Sequence, residues 1–191
     1  MARLPYPDPT SLPERNRDLL AQLPQLNVFR MMAGAGASFG PFMQFISAYL
    51  NEGVLDPELR ELVILRVGHL CGSAYEVHQH ERVSRTIGMS DERIAAVKGH
   101  LPNSRLSDAE NAALAFTDEQ VANVKVREQT FNATKAFFSD AQMTELVIVI
   151  GTYLMVCRFL ETLEVEIEET DIDGSGLEEI EKSVRTLEGN T

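Results

Sequence analysis

Residues 56–88 read DPELRELVILRVGHLCGSAYEVHQHERVSRTIG, and two consecutive helices are encoded in them. Asp56-Pro57 supplies a capping carboxylate followed by a proline at the first helical position, where its missing amide is no loss. The first helix is predicted to run to about Leu70, and a Cys71-Gly72-Ser73 turn then folds the chain back. Gly88 closes the second helix, because glycine tolerates the left-handed conformation at a helix C-terminus. At about 100° per residue, His80 lies about 40° from Glu76 around that helix, and Val83 and Ile87 lie about 20° from it. Glu76 and His80 therefore share the apolar, inward face. His78, Glu81, Arg82 and Arg85 fall together on the opposite, solvated side.

A carboxylate and an imidazole at i and i+4 reach one another, and burial disfavours their charged forms while mutual pairing favours them. Such a pair suits proton transfer, and it equally suits a structural bond between two helices. Glu61 adds to it. Ile64, Leu65 and Gly68 surround Glu61 within about 60° on the preceding helix, so it too points into an apolar surface and needs a partner there. The tight turn allows Glu61 to approach the Glu76/His80 face; the alternative for Glu61 is a hydrogen bond to backbone. A metal would find two carboxylates and one imidazole, but no second inward-facing histidine is evident, so a metal-free site is expected. Cys71 reads as a small residue at a turn and Cys157 as an inert thiol inside an apolar run. Arg66 and Arg158 are candidate partners for a substrate carboxylate or edge residues with buried stems, and Met31, Met32 and Met155 read as core.

Outward from this segment, helix starts recur. Ser90, Ser107 and Ser139 open three further helices, the last two with Glu110 and Gln142 at the capping-box position. The helix after Ser139 is expected over about 140–163. Toward the N-terminus, SLPERNRDLLAQL reads as an amphipathic helix, and two more flank Gly34 and Gly36, the second ending near Glu52-Gly53. The sum is an all-α bundle of about eight helices. Segments 1–52, 53–168 and 169–191 form an N-terminal helical segment, a core and an acidic tail of one structural domain. Glu61-Leu62-Val63-Ile64 recurs as Glu145-Leu146-Val147-Ile148, a faint echo of a helical duplication.

The 191 residues are 44% hydrophobic, which is long and apolar enough for a sizeable core and excludes a disordered chain. Net charge is −12, so a phosphate-gripping surface is absent and no nucleic-acid partner is expected. Most of that charge, −9, lies in residues 161–191. Within the tail, Leu177, Ile180, Val184 and Leu187 mark one narrow helical stripe, suited to a clasp or to a solvated terminus. Two cysteines make no disulfide framework, and MARLPYPDP lacks the apolar centre of a signal peptide, so a cytoplasmic protein is expected. The run Leu146–Cys157 falls short of the roughly 20 apolar residues of a membrane span, and no membrane partner is expected.

The segment LRELVILRVGHLCGSAYEVHQH, residues 59–80, resembles the carboxymuconolactone decarboxylase and alkylhydroperoxidase D-like superfamily. A looser likeness extends from Phe42 to Glu166, including the ending RFLETLEVE. The resemblance implies an all-helical fold, a small homo-oligomer (trimer or hexamer, with a dimer also open), a small-molecule substrate and no cofactor. In the peroxidase branch a glutamate is followed by a CxxC pair and a histidine. Glu61 matches the glutamate, Ser73 and Glu76 stand where the two cysteines would be, and His80 matches the histidine. Tyr75-Glu76 followed by His80 is similar instead to the YExxxH form of the decarboxylase-like branch. The resemblance thus implies decarboxylation of a lactone or other enolisable carboxylated molecule, with Glu61, Glu76 and His80 catalytic and Ser73 and Tyr75 binding substrate. A peroxidase relying on Cys71 with an external thiol, and a non-catalytic helical oligomer, are the alternatives.

Overall fold

The computed structural model describes residues 1–168, and among these every regular element is helical. Two compact units are formed, one by Met1–Gly53 together with residues 162–168, the other by Val54–Glu161. The tail stripe of Leu177, Ile180, Val184 and Leu187 lies outside the described residues.

The first unit holds a short 3-10 turn at Pro9–Ser11, then α1 (Glu14–Gln22), α2 (Asn27–Met32), a 3-10 segment at Ala33–Ser38 and α3 (Phe39–Glu52). Asn16, 1% exposed, explains how the glycine-containing segment is held: its Nδ2 donates to the carbonyls of Ala33 at 3.0 Å and Gly36 at 2.8 Å. Gly36 has φ of 63°, a left-handed conformation that glycine takes without a Cβ penalty. Met31 and Met32 are buried here, as expected.

The second unit holds α4 (Pro57–Cys71), α5 (Ala74–Thr86), α6 (Asp91–Ala96), α7 (Asp108–Asn123), α8 (Glu128–Lys135) and most of α9 (Asp140–Leu163). The predicted caps are formed. Asp56 accepts from the amides of Glu58 and Leu59, Ser90 from that of Arg93, and Ser107 and Glu110 complete a reciprocal capping box. Ser139 and Gln142 bond each other's backbone amides in the same way ahead of α9. Gly72 at φ 67° and Gly88 at φ 93° end α4 and α5.

Helix α4 is the centre of this unit. Every residue from Leu59 to Gly68 is buried, and α4 packs against both α5 and α7. A helix buried on all sides leaves its polar residues dependent on internal partners. Arg66 is the clearest case. Its guanidinium forms a two-bond fork with Asp118 of α7, at 2.6 and 2.7 Å, and donates to the carbonyls of Val97 and Gly99. This corrects its candidacy as a substrate anchor, since its donors are committed to the fold.

Helix α9 is 24 residues long and, with a mean hydropathy of 1.8 over an 18-residue window, matches a membrane span by length and composition, more than the run Leu146–Cys157 suggested. One of its faces, including Leu146, Val149, Ile150, Tyr153 and Cys157, is buried in the protein. Met155 is 41% exposed on the other side, with Val147 and Ile148, so it is not the core residue its apolar neighbourhood implied. The echoed Glu145 takes a structural role of its own, accepting from the amides of Val54 and Leu55 at 2.7 and 3.0 Å.

Gly68 sets the approach of α4 to α5: a Cβ built there would stand 3.1 Å from Val77 Cγ2 and 3.6 Å from Glu76 Cβ. A branched side chain has no room at that contact. Gly68→Val is expected to destabilise the protein by about 1–3 kcal/mol, read as a lower midpoint in urea denaturation.

Candidate active site

The turn Gly72-Ser73 brings α5 back along α4, so that Glu61, buried on α4, faces the Glu76/His80 side of α5. His80 Nδ1 lies 2.6 Å from Glu61 Oε2, and His80 Nε2 lies 3.1 Å from Glu76 Oε1. The two carboxylate side chains are 1% and 5% exposed, and the imidazole keeps 13%. The expected meeting of these three residues is thus found, with His80 in the middle.

Two carboxylates on one imidazole fix its protonation. A neutral ring has one N–H and one lone pair, so it satisfies one carboxylate and turns its lone pair on the other; only the imidazolium donates to both. Burial opposes the charged ring, but the charge and hydrogen bond of Glu61, joined by those of Glu76, outweigh it and raise the His80 pKa to about 10. The triad therefore holds one internal cation against two carboxylates.

Sequence periodicity missed three neighbours. Tyr153 of α9 presents its ring edge-on to His80, with centroids 5.0 Å apart and planes at 88°. That edge-to-face packing limits rotation of the imidazole. Arg60 Nε stands 4.0 Å from Glu61 Oε1, which adds a cation beside the buried acid. The third is Cys157, 1% exposed on α9, whose thiol is pushed up by burial and by the nearby charge of Glu76. Only the adjacency of Arg60 to Glu61 was visible in the sequence; Tyr153 and Cys157 lie on a helix some seventy or more positions away.

Ser73 is fully buried with no hydrogen-bond partner for its hydroxyl, and Tyr75 is 3% exposed at the start of α5. Ser73 is not brought against His80 by a hydrogen bond. Among the arginines, Arg82 bonds Gln79, and Arg85 bonds Glu81 and Asp91, while Arg158 is exposed and its charge is felt at Cys71. His78 is half-buried on α5 and stands apart from the triad.

The carboxymuconolactone decarboxylase family model matches residues 38–119, a span that contains Glu61, Ser73, Glu76 and His80. That segment, less than half of the chain, is similar to the carboxymuconolactone decarboxylase family. The uncharacterized protein YdfG of Bacillus subtilis is 22% identical over 111 residues, covering 57% of this chain and 76% of YdfG. A peroxidase-related protein with an alkylhydroperoxidase D core from Ralstonia eutropha superposes with a TM-score of 0.77 at 19% identity, over 88% of this chain and 93% of that one. A protein of unknown function from Agrobacterium tumefaciens, described as a putative antioxidant defence protein, gives 0.67 at 22% identity, over 72% and 96%. The debrominase Bmp8 gives 0.65 at 18% identity, over 87% and 90%. The fold is thus that of the alkylhydroperoxidase D-like proteins.

The sign of the His80 shift makes a solution test possible. A folded-state pKa above the unfolded value means that the native state binds the proton more tightly, so this contribution to stability is complete below about pH 6.5 and is lost as pH rises toward 10. In an NMR titration the His80 ring is expected to remain imidazolium at pH 8 and to titrate near 10; a midpoint near 6.5 would overturn the doubly bonded arrangement.

Proposed function

We propose that this protein is a decarboxylase-like acid/base enzyme that acts without a metal on a lactone or other enolisable carboxylated small molecule. The observation that carries this reading is the buried imidazolium of His80, held at both ring nitrogens by carboxylates. Loss of CO2 from such a substrate leaves the electron pair of the broken carbon–carbon bond delocalised toward a carbonyl oxygen. The enzyme must stabilise that enolate and place a proton on carbon.

The two contacts of His80 differ in a way that assigns the work. The Nδ1 bond to Glu61 is the shorter and the more buried, whereas the Nε2 contact to Glu76 is longer by 0.5 Å and sits at the looser end. Glu61 is then the anchor that fixes ring orientation, and Nε2–H is the proton delivered. After transfer the ring is neutral, still donates from Nδ1 to Glu61, and regains its proton through Glu76. Glu76 occupies the place of a thiol in the peroxidase branch, so proton relay replaces thiol chemistry at this position. Ser73 and Tyr75 stand at the N-terminal end of the same helix and are proposed as substrate contacts.

The debrominase Bmp8 was solved with 2,3,4-tribromopyrrole, which supports a small conjugated ring as the kind of molecule that this fold accommodates. Val147, Ile148 and Met155, exposed together on α9, support association into a homo-oligomer.

Purified protein incubated with γ-carboxymuconolactone is expected to release CO2, followed together with the product by chromatography. Glu76→Gln should lower turnover by about 10²-fold or more with the helical circular dichroism unchanged, and His80→Asn should lower it as far while also lowering the urea midpoint, because Glu61 loses its cation. Activity equal to wild type in both variants would assign the triad to structure alone. Large losses of stability in both, without turnover by the wild type, would favour the non-catalytic oligomer.

A further inference from the structure

The charges of the triad do not balance among themselves. One imidazolium faces two carboxylates, so the buried site carries an excess of one negative charge. An uncompensated charge in such surroundings is costly, and a fourth group is needed to neutralise it. Arg60 has the place for that role. It is 8% exposed, and its Nε stands 4.0 Å from Glu61 Oε1, the oxygen opposite the one that meets His80. Among the described residues, the ion pairs of Glu61 are with Arg60 and His80, and that of Glu76 is with His80. We propose that Arg60 is a positioning residue that completes the charge balance of the triad and, acting through Glu61, governs release of the His80 Nε2 proton.

The two oxygens of Glu61 divide the work. Oε2 accepts from Nδ1–H of His80 at 2.6 Å, which fixes the ring. Oε1 lies 4.0 Å from Arg60 Nε, beyond hydrogen-bond length, so that nitrogen acts on the carboxylate through its charge. An arginine beside a glutamate on a surface helix would turn its cation to water. On α4 every residue from Leu59 to Gly68 is buried, so the guanidinium charge is felt inside the protein, where screening by solvent is weak.

The direction of the effect follows from the sign of the charges. Two carboxylates hold the ring protonated, and a cation on the far side of Glu61 offsets part of the negative potential they impose. With Arg60 in place the imidazolium is held at rest and still gives up its proton. Without it the same ring faces the excess negative charge and releases the proton less readily. The consequence for turnover rests on the acid/base reading above, whereas the electrostatic role concerns the triad alone and is measured without substrate.

The test follows the His80 ring by NMR titration of the full chain in wild type, Arg60→Gln and Arg60→Lys. Against a wild-type midpoint near 10, Arg60→Gln is expected to titrate higher by about half a unit or more, and Arg60→Lys to stay within about 0.2 unit of wild type, because it keeps the charge. In the CO2-release assay Arg60→Gln should lower kcat by about two- to threefold with KM unchanged, and Arg60→Lys should restore it. A midpoint that stays in place or falls in Arg60→Gln, or an Arg60→Lys protein that behaves like Arg60→Gln, would overturn the assignment. If Arg60→Gln does not fold, Arg60→Lys decides alone: a wild-type midpoint upholds the charge role and a displaced one rejects it. The expected midpoints in a wild type that turns over no lactone would sink the decarboxylase reading and leave Arg60 in its place beside the triad.

Discussion

The interaction on which the second unit depends is the capture of one imidazole between two buried carboxylates. Glu61 lies within a run of ten consecutive buried residues of α4, a place where an unpartnered charge is prohibitively expensive. His80 supplies the compensating cation, and the close approach of α5 at Gly68 makes it possible. The same geometry keeps the ring charged well above its ordinary range. Stability and reactivity therefore draw on a single arrangement, since the group that neutralises α4 internally is also the group with a proton to give.

That arrangement is asymmetric, and the asymmetry carries chemical meaning. A short, dry bond at Nδ1 and a longer one at Nε2 distinguish a positioning carboxylate from an exchanging one. Tyr153 packs from α9 at nearly a right angle to the ring and limits its rotation. Glu145, the counterpart of Glu61 in the repeated Glu-Leu-Val-Ile sequence, instead holds the backbone amides of Val54 and Leu55. Similar local sequence at two helix starts has thus been put to two uses, decided by whether a histidine or a loop lies opposite.

Much of this was legible in one dimension. Helix starts at Asp56, Ser90, Ser107 and Ser139 were readable because a cap is a local contract between a side chain and amides two or three residues away. The shared face of Glu76 and His80 followed from helical periodicity alone. Arg66 and Met155 were harder. Burial of Arg66 was foreseeable, but its fork to Asp118 joins residues 52 positions apart, and nothing local distinguishes such a pair from a ligand-binding arginine. Met155 sits in an apolar run whose outer face remains exposed, a distinction that depends on which side of α9 the rest of the unit covers.

The sequence by itself determined the helices, their ends, and the shared face of Glu76 and His80, because each of those follows from interactions spanning a few residues, whereas Ile87, placed on that face by periodicity, is 38% exposed. Tertiary structure alone decided what those inward groups meet. The contact of Glu61 with His80 and the packing of Tyr153 against that ring depend on helix–helix distances at the ångström level. Periodicity gives the direction of a side chain around its own axis, but carries no information on the separation or register of a neighbouring helix. Protonation at His80 belongs to the same class, since it depends on two carboxylates arriving together on opposite sides of one ring.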